Sequence, residues 1–312
     1  MASNNKTATI IAVVAQLLQL AGCASSAAAR ADGSATTSVA TRAPAKPTPV
    51  PGAQDAKTHA EDIERGDAAA QTDDLDRAVY YYVLALERSP QDAPTLAKIG
   101  VIEAARGNTA LAQQAFEMAH TAQPDEPRIA EVLGRLYLQQ GKIDSAAQIY
   151  AQVLTLYPQR TRALDGMGEV CLGRTQFIEA IRYFSLALQA QDADAASVLT
   201  HRGYAKLLAD DLPGAAADLR AALAIAPQPE TWRHIAELQT REHDSAAALQ
   251  SLLNIMDAAS AYNEIGIVLM KMNDYGAAAI HFAKAISASP SWYEEAHRNL
   301  ALAQEHLHGT GG

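Results

Sequence analysis

The strongest constraint on this chain is that it repeats itself. Pro90, Pro124 and Pro158 are each 34 residues apart; a further 34 reaches Asp192, 35 more reaches Pro227, and Pro290 follows 63 later. Counting back from these marks gives columns. Twenty-four before stand Gly66, Gly100, Gly134, Gly168, Gly203 and Gly266, and twelve before stand Ala78, Ala112, Ala146, Ala180, Ala215 and Ala278. Eight before stand Tyr82, Phe116, Tyr150, Phe184, Leu219 and Phe282, and five before stand Ala85, Ala119, Val153, Ala187, Ala222 and Ala285. A unit of this size recurring at fixed phase is one supersecondary element stacked on copies of itself.

Each column has a physical job. A glycine inside a helix costs up to about 1 kcal/mol against alanine. Its recurrence at one phase therefore predicts a neighbouring helix pressed against that spot. The alanine column offers a matching close contact on a second helix. The aromatic column is expected to fill the groove between hairpins, where a large ring buries the most area. The proline stops the second helix and turns the chain into the next copy. Turns inside each pair are expected at Gly107-Asn108, Gly141-Lys142, Asp210-Asp211 and Asn273-Asp274. Composition agrees: 49% of residues are hydrophobic but only 5% aromatic, because the strong helix former alanine dominates. The expected fold class is all-α.

The proline series sets copy boundaries near 59, 93, 127, 161, 196 and 259. Between about 230 and 258 lies a degenerate copy, about five residues short, in which Ala246-Ala247-Ala248 leaves the register open. A shortened helix or a local kink is expected there. Residues 293–308 read as a lone helix, polar on one side, of the kind that caps an open stack, with a short tail to 312. Charge at Glu61, Asp62, Glu64 and Arg65 suits a polar cap at the other end.

These columns resemble the tetratricopeptide repeat, a 34-residue pair of antiparallel helices. The resemblance covers residues 59–292, about seven repeats, and implies an α-α superhelix with a C-terminal capping helix. It also implies that the first helices line a concave groove. On each first helix the face opposite its partner then selects Arg128, Glu131, Arg135 and Gln139, followed by Arg162, Asp165 and Glu169, then Tyr204, Asn263 and Lys271. Such a mixed-charge groove suits an extended or helical peptide. Chaperone-docking members of the family use a Lys/Asn clamp. The nearest places here hold Glu131, Arg135, Asp165 and Glu169, which argues against that partner.

Residues 1–22 read as an address. Lys6 precedes an apolar run, Ala8 to Leu20, that is too short to span a bilayer comfortably. It ends in Leu20-Ala21-Gly22-Cys23, which resembles a bacterial lipobox. The resemblance implies cleavage before Cys23, diacylglycerol on its thiol and N-acylation; several acyl chains anchor stably where one does not. Ala24, with no Asp in that place, implies the outer membrane. Residues 24–57, rich in Ala, Ser, Thr and Pro, bury too little apolar surface to fold. As a flexible tether this segment, up to the repeats at 59, would reach roughly 35 Å.

Other chemistry is not indicated. The net charge of −10 and pI of about 5.3, with no two Lys or Arg adjacent, exclude a basic nucleic-acid face. Nine histidines contain no His-Glu-x-x-His; His201, His234, His243 and His281 fall in different repeats or turns and read as isolated, and no metal or cofactor is expected. Neither a phosphate loop nor Gly-x-Ser-x-Gly occurs. Asp73-Asp74 and Asp210-Asp211 read as turn caps, and Cys171 as a buried thiol. Trp232 and Trp292 begin helices, either as core at repeat junctions or as exposed partner anchors. Lipobox, tether and repeat stack together resemble the pilus-assembly lipoproteins, nearest in layout the TadD lipoproteins of tight-adherence (Flp) systems. That resemblance implies a non-enzymatic scaffold that helps a secretin or another pilus component at the outer membrane, facing the periplasm. The alternative is an adaptor or regulator of a periplasmic protease or peptidoglycan enzyme.

Overall fold

One small turn is used again and again. In seven places a first helix ends with one residue in the left-handed region: Asp73, Gly107, Gly141, Thr175, Asp210, His243 and Asn273, with φ between 58° and 78°. The next residue donates its backbone N–H to the carbonyl five positions back, at 2.8–3.0 Å. This closes the end of the first helix in a Schellman arrangement. Where that next residue is aspartate, its carboxylate also starts the second helix. Asp74, Asp211, Asp244 and Asp274 each accept an N–H from three residues on, so the Asp73-Asp74 and Asp210-Asp211 pairs cap helices as expected. The left-handed sites at Thr175 and His243 carry no sequence signal for a turn.

The computed structural model describes residues 59–190 and 194–309, and among these it contains fifteen α-helices. They are α1 (His59–Gln71), α2 (Leu75–Arg88), α3 (Ala93–Ala105), α4 (Thr109–Ala122), α5 (Pro127–Gln139), α6 (Ile143–Leu156), α7 (Thr161–Gly173) and α8 (Phe177–Gln189). They continue as α9 (Ala195–Leu208), α10 (Leu212–Ile225), α11 (Pro229–Arg241), α12 (Ser245–Leu252), α13 (Ala258–Lys271), α14 (Tyr275–Ala288) and α15 (Glu294–Gly309). The all-α class holds, with α15 as the C-terminal capping helix. None of the described helices is long and apolar enough to cross a membrane. The described residues form two compact units, one ending at Leu136 and the other beginning at Tyr137, with the division inside α5.

In the first unit α1 packs on α2, α3 on α4, and α2 on α3. The recurring glycine is what lets a hairpin close. A Cβ added at Gly100 would lie 2.6 Å from the ring of Phe116, and one at Gly66 would strike Tyr82. The second unit repeats this. Gly168 faces Phe184, Gly203 faces Leu219 at 2.8 Å, and Gly266 faces Phe282 at 2.5 Å. Each pair is sixteen residues apart, so the large side chain lies over the first helix of its own hairpin. The expectation that rings fill the groove between hairpins is corrected for these copies. Tyr150 of α6 does bridge hairpins, pressing on Gly166 of α7. The alanine column is completely buried at all six places, from Ala78 to Ala278.

Two places depart from the pattern. In the copy after Pro227 the second helix, α12, has only eight residues before a turn at Leu253–Met256. Its Ala248 and Leu252 still join the core cluster of Ile265, Leu269 and Phe282, which Ala303 of α15 closes from the far side. In the first hairpin Asp62 takes the place held by Leu96 and Leu164 in later copies, and it is wholly buried. It therefore does not belong to a solvated polar cap. Arg88 of α2 bonds one carboxylate oxygen, and Arg65 stands 3.7 Å from the other.

Two outcomes follow for stability. Gly100→Ala should lower the unfolding free energy by about 1–3 kcal/mol, the range for overpacking, measured by urea denaturation; Phe116→Leu in the same chain should recover part of it. Arg88→Leu should cost roughly 2–3 kcal/mol, because a buried carboxylate loses its main partner while Arg88 itself is part-exposed. The double change Asp62→Leu with Arg88→Leu should restore most of the loss in the same assay.

Candidate functional site

Stacked repeats bring distant residues together at a fixed offset. In the second unit α7 packs on α9, α9 on α11, α11 on α13, and α13 on α15. A polar side chain on one first helix thus meets another 31 to 36 residues further along. Asp165 meets His201 at 2.8 Å, Thr200 meets Thr231 at 2.7 Å, and Gln228 donates to Ser197 at 3.3 Å. Arg241 donates to the Leu207 carbonyl at 2.9 Å, and Asn299 to Asn263 at 3.1 Å. The first unit has the same link, Lys98 Nζ to Asp67 at 2.6 and 2.8 Å. Asp67 is held below the usual carboxylate range: burial pushes it up, but the bonds from Lys98 and Tyr82 outweigh that.

The ten residues picked from sequence for a groove fall into three groups. Arg128 and Arg135 in the first unit, and Gln139, Arg162 and Lys271 in the second, are exposed. Asp165, Glu169 and Tyr204 are half-buried. Glu131 and Asn263 are buried, 4% and 3% exposed, which removes them from any open surface. The reason is visible at Asn263: it accepts from Asn299 and donates to Glu295 at 3.4 Å, so the capping helix covers it. Cys23 lies outside the described residues.

The structure gathers what the sequence reading left isolated. Asp165 and Glu169, one turn apart on α7, meet His201 of α9, and one donor atom from each lies within 4.8 Å of the others. Behind the imidazole lies the Phe184 ring, 5.6 Å away. Burial works against the imidazolium, but the bond from Asp165 and the charges of Asp165, Glu169 and Glu230 prevail and raise its pKa to about 9. One repeat further, Tyr204 and His234 stack at 4.1 Å, and His234 stands 3.6 Å from Glu230. That contact holds Glu230 below its ordinary range. The nearby cations Arg202 and Lys206 are taken up by Asp218, at 2.7 and 2.8 Å. A half-buried, acid-rich patch carrying Tyr204, His201 and His234 results. The signal that could have found it is the offset: residue i with residue i plus 31 to 36 on successive first helices.

A second surface escaped the sequence reading altogether. Tyr262, Ile280, Ala283, Lys284, Ser287 and Ala288 line an open trough of about 590 Å³ on α13 and α14. The tryptophans divide: Trp232 is half-buried, while Trp292 is 73% exposed with its face stacked on His297 at 3.8 Å. Cys171 is buried as expected, and burial raises its thiol pKa.

Family models described as tetratricopeptide repeat match residues 98–161 and 259–291. No curated protein matches the sequence. Among solved structures, the chain is similar to a tetratricopeptide repeat protein from Parabacteroides merdae ATCC 43184, with TM-score 0.61 and 18% identity over 79% of this chain and 98% of that one. It is similar to PilW, a widely conserved type IV pilus biogenesis factor, with TM-score 0.56 and 18% identity over 67% and 98%. It is also similar to PilF of Pseudomonas aeruginosa, with TM-score 0.51 and 20% identity over 69% and 92%. At these identities the likeness establishes the fold.

The His201 pair gives a checkable pH dependence. Its folded pKa lies above the ordinary 6.5, so the attraction to Asp165 is fully present below about pH 6.5 and is lost as pH rises through about 9. Imidazole NMR should place the His201 midpoint near 9, and Asp165→Asn should bring it back toward 6.5.

Proposed function

We propose that this tetratricopeptide-repeat chain is a non-enzymatic protein-binding scaffold, held at the outer membrane by lipid on Cys23, that assists assembly of a tight-adherence or type IV-like pilus or its secretin. The observation that carries the reading is the row of partly exposed polar and aromatic side chains on successive first helices of the second unit. Arg162, Asp165, Glu169, His201 and Tyr204 present donors, acceptors and a ring face from a backbone fixed by hairpin packing. A rigid surface of this kind orders only the partner on binding, which keeps the entropic cost low. The fold shared with PilW, a pilus biogenesis factor, supports the pilus setting, as does the TadD-like order of lipobox, tether and repeats.

The mechanism is tethering. Lipid on Cys23 confines the scaffold to the membrane, and the tether lets the repeats stand off it. A partner segment held there reaches a higher effective concentration near the membrane without any further contact. Outward orientation to the periplasm follows from the same address. No catalytic step is required of the chain.

Cross-linking in intact envelopes followed by capture of the full-length protein tests this reading. Pilus or secretin components should be recovered, and Arg162→Glu with Tyr204→Ala should reduce their yield at least about fivefold, the loss expected for one or two anchoring contacts. Cys23→Ala should release the chain from the membrane fraction while leaving partner capture from solution intact. Recovery of a periplasmic protease or peptidoglycan enzyme instead, or an unchanged yield with the groove variant, would overturn the proposal.

A further inference from the structure

We propose that Asp165, Glu169 and His201 form a binding site for a divalent transition-metal ion of the Zn²⁺ or Co²⁺ type. The site shares these three residues with the surface proposed above, and ion binding is read without any partner present. Among the described residues this is the one place where three such donors converge, each offering an atom within 4.8 Å of the other two. Asp165 and Glu169 are four residues apart on α7, so both carboxylates leave the same helix face. His201 reaches them from α9, and its Nδ1 lies 2.8 Å from Asp165 Oδ1.

That spacing suits shared coordination. Two donors about 2.1 Å from one tetrahedral ion sit roughly 3.4 Å apart, so the 2.8 Å hydrogen-bonded contact needs to open by only about half an ångström to hold one. Binding an ion releases the proton that His201 shares with Asp165 to solvent, and small rotations of the three side chains then place one donor atom of each on the ion. One imidazole and two carboxylates make a borderline donor set, matched to Zn²⁺ or Co²⁺ and short of the six to eight oxygens that Ca²⁺ takes. The three residues are half-buried, so the ion loses part of its water yet remains reachable.

The surroundings favour a cation. Glu230 adds a negative charge that acts on His201. Arg202 and Lys206 are engaged by Asp218. The Phe184 ring, tilted against the imidazole at 5.6 Å, limits how far that ring can turn. Gly168 lets Phe184 lie against α7, and Asp165 and Glu169 flank that glycine in sequence, so the repeat packing itself sets the floor of the site.

Chelator-treated full-length chain in detergent, titrated with Co²⁺ by visible absorption and with Zn²⁺ by calorimetry, tests the site. One ion per chain should bind with Kd below about 100 µM, and His201→Gln and Asp165→Asn should each weaken binding by at least about tenfold. His306→Ala with His308→Ala should leave it unchanged. Absence of saturable binding below that concentration, or binding undiminished in folded variants, would falsify the site. Should the variants not fold, Co²⁺ broadening of wild-type amide resonances decides: centred on residues 165, 169 and 201 it supports the site, and centred elsewhere it overturns it.

Discussion

The contact between a helix glycine and the side chain sixteen residues later governs everything built on it. At Gly100 and Phe116, or at Gly266 and Phe282, there is no room for a Cβ. The two helices of a hairpin thus approach until the ring rests on bare backbone. Completely buried alanines such as Ala112 and Ala278 set the same closeness from the second helix. Glycine is a poor helix former, so the helical penalty at each copy is offset by ring burial. Neither half of this exchange is available to an isolated helix, which is why the stable unit is the hairpin and its neighbours.

The turn that joins the two helices is equally economical. One left-handed residue ends the first helix, and the residue after it closes that helix with its N–H and, where it is aspartate, opens the next with its carboxylate. Because turn and seam recur at nearly the same phase, each first helix of the second unit from α7 onward lies beside the next at a repeatable offset. The polar row from Asp165–His201 through Thr200–Thr231 to Asn263–Asn299 is a consequence. Polar contacts, some buried and some half-buried, are thereby assembled from residues separated by about a whole repeat. The same stacking concentrates Asp165, Glu169, His201, Glu230 and His234 within one unit of an acidic chain.

Departures from the repeat mark where the stack does something other than propagate. Asp62 places a carboxylate where the copies of Leu96 and Leu164 hold leucine, and Arg88 and Arg65 are the cations beside it. The eight-residue α12 keeps just enough apolar contact, through Ala248 and Leu252, to remain part of the core. At the far end α15 buries Ala296 and Ala303 and covers Asn263, so a residue that reads as groove surface becomes an interior hydrogen-bond partner.

What the sequence by itself determined is the all-α repeat. Period, glycine, alanine and large-residue columns are one-dimensional signals, because each reports a contact made at constant separation along the chain. Aspartate caps and the buried Cys171 were legible for the same local reasons. The tertiary structure alone decided which large side chain covers which glycine, that Glu131 and Asn263 are interior, that Thr175 and His243 occupy left-handed turns, and that His201 joins two carboxylates. Those facts depend on how one helix face meets the next. A helix face seen in sequence does not state whether solvent or a neighbouring helix will lie against it, and in a stack the neighbour supplies half of every such surface.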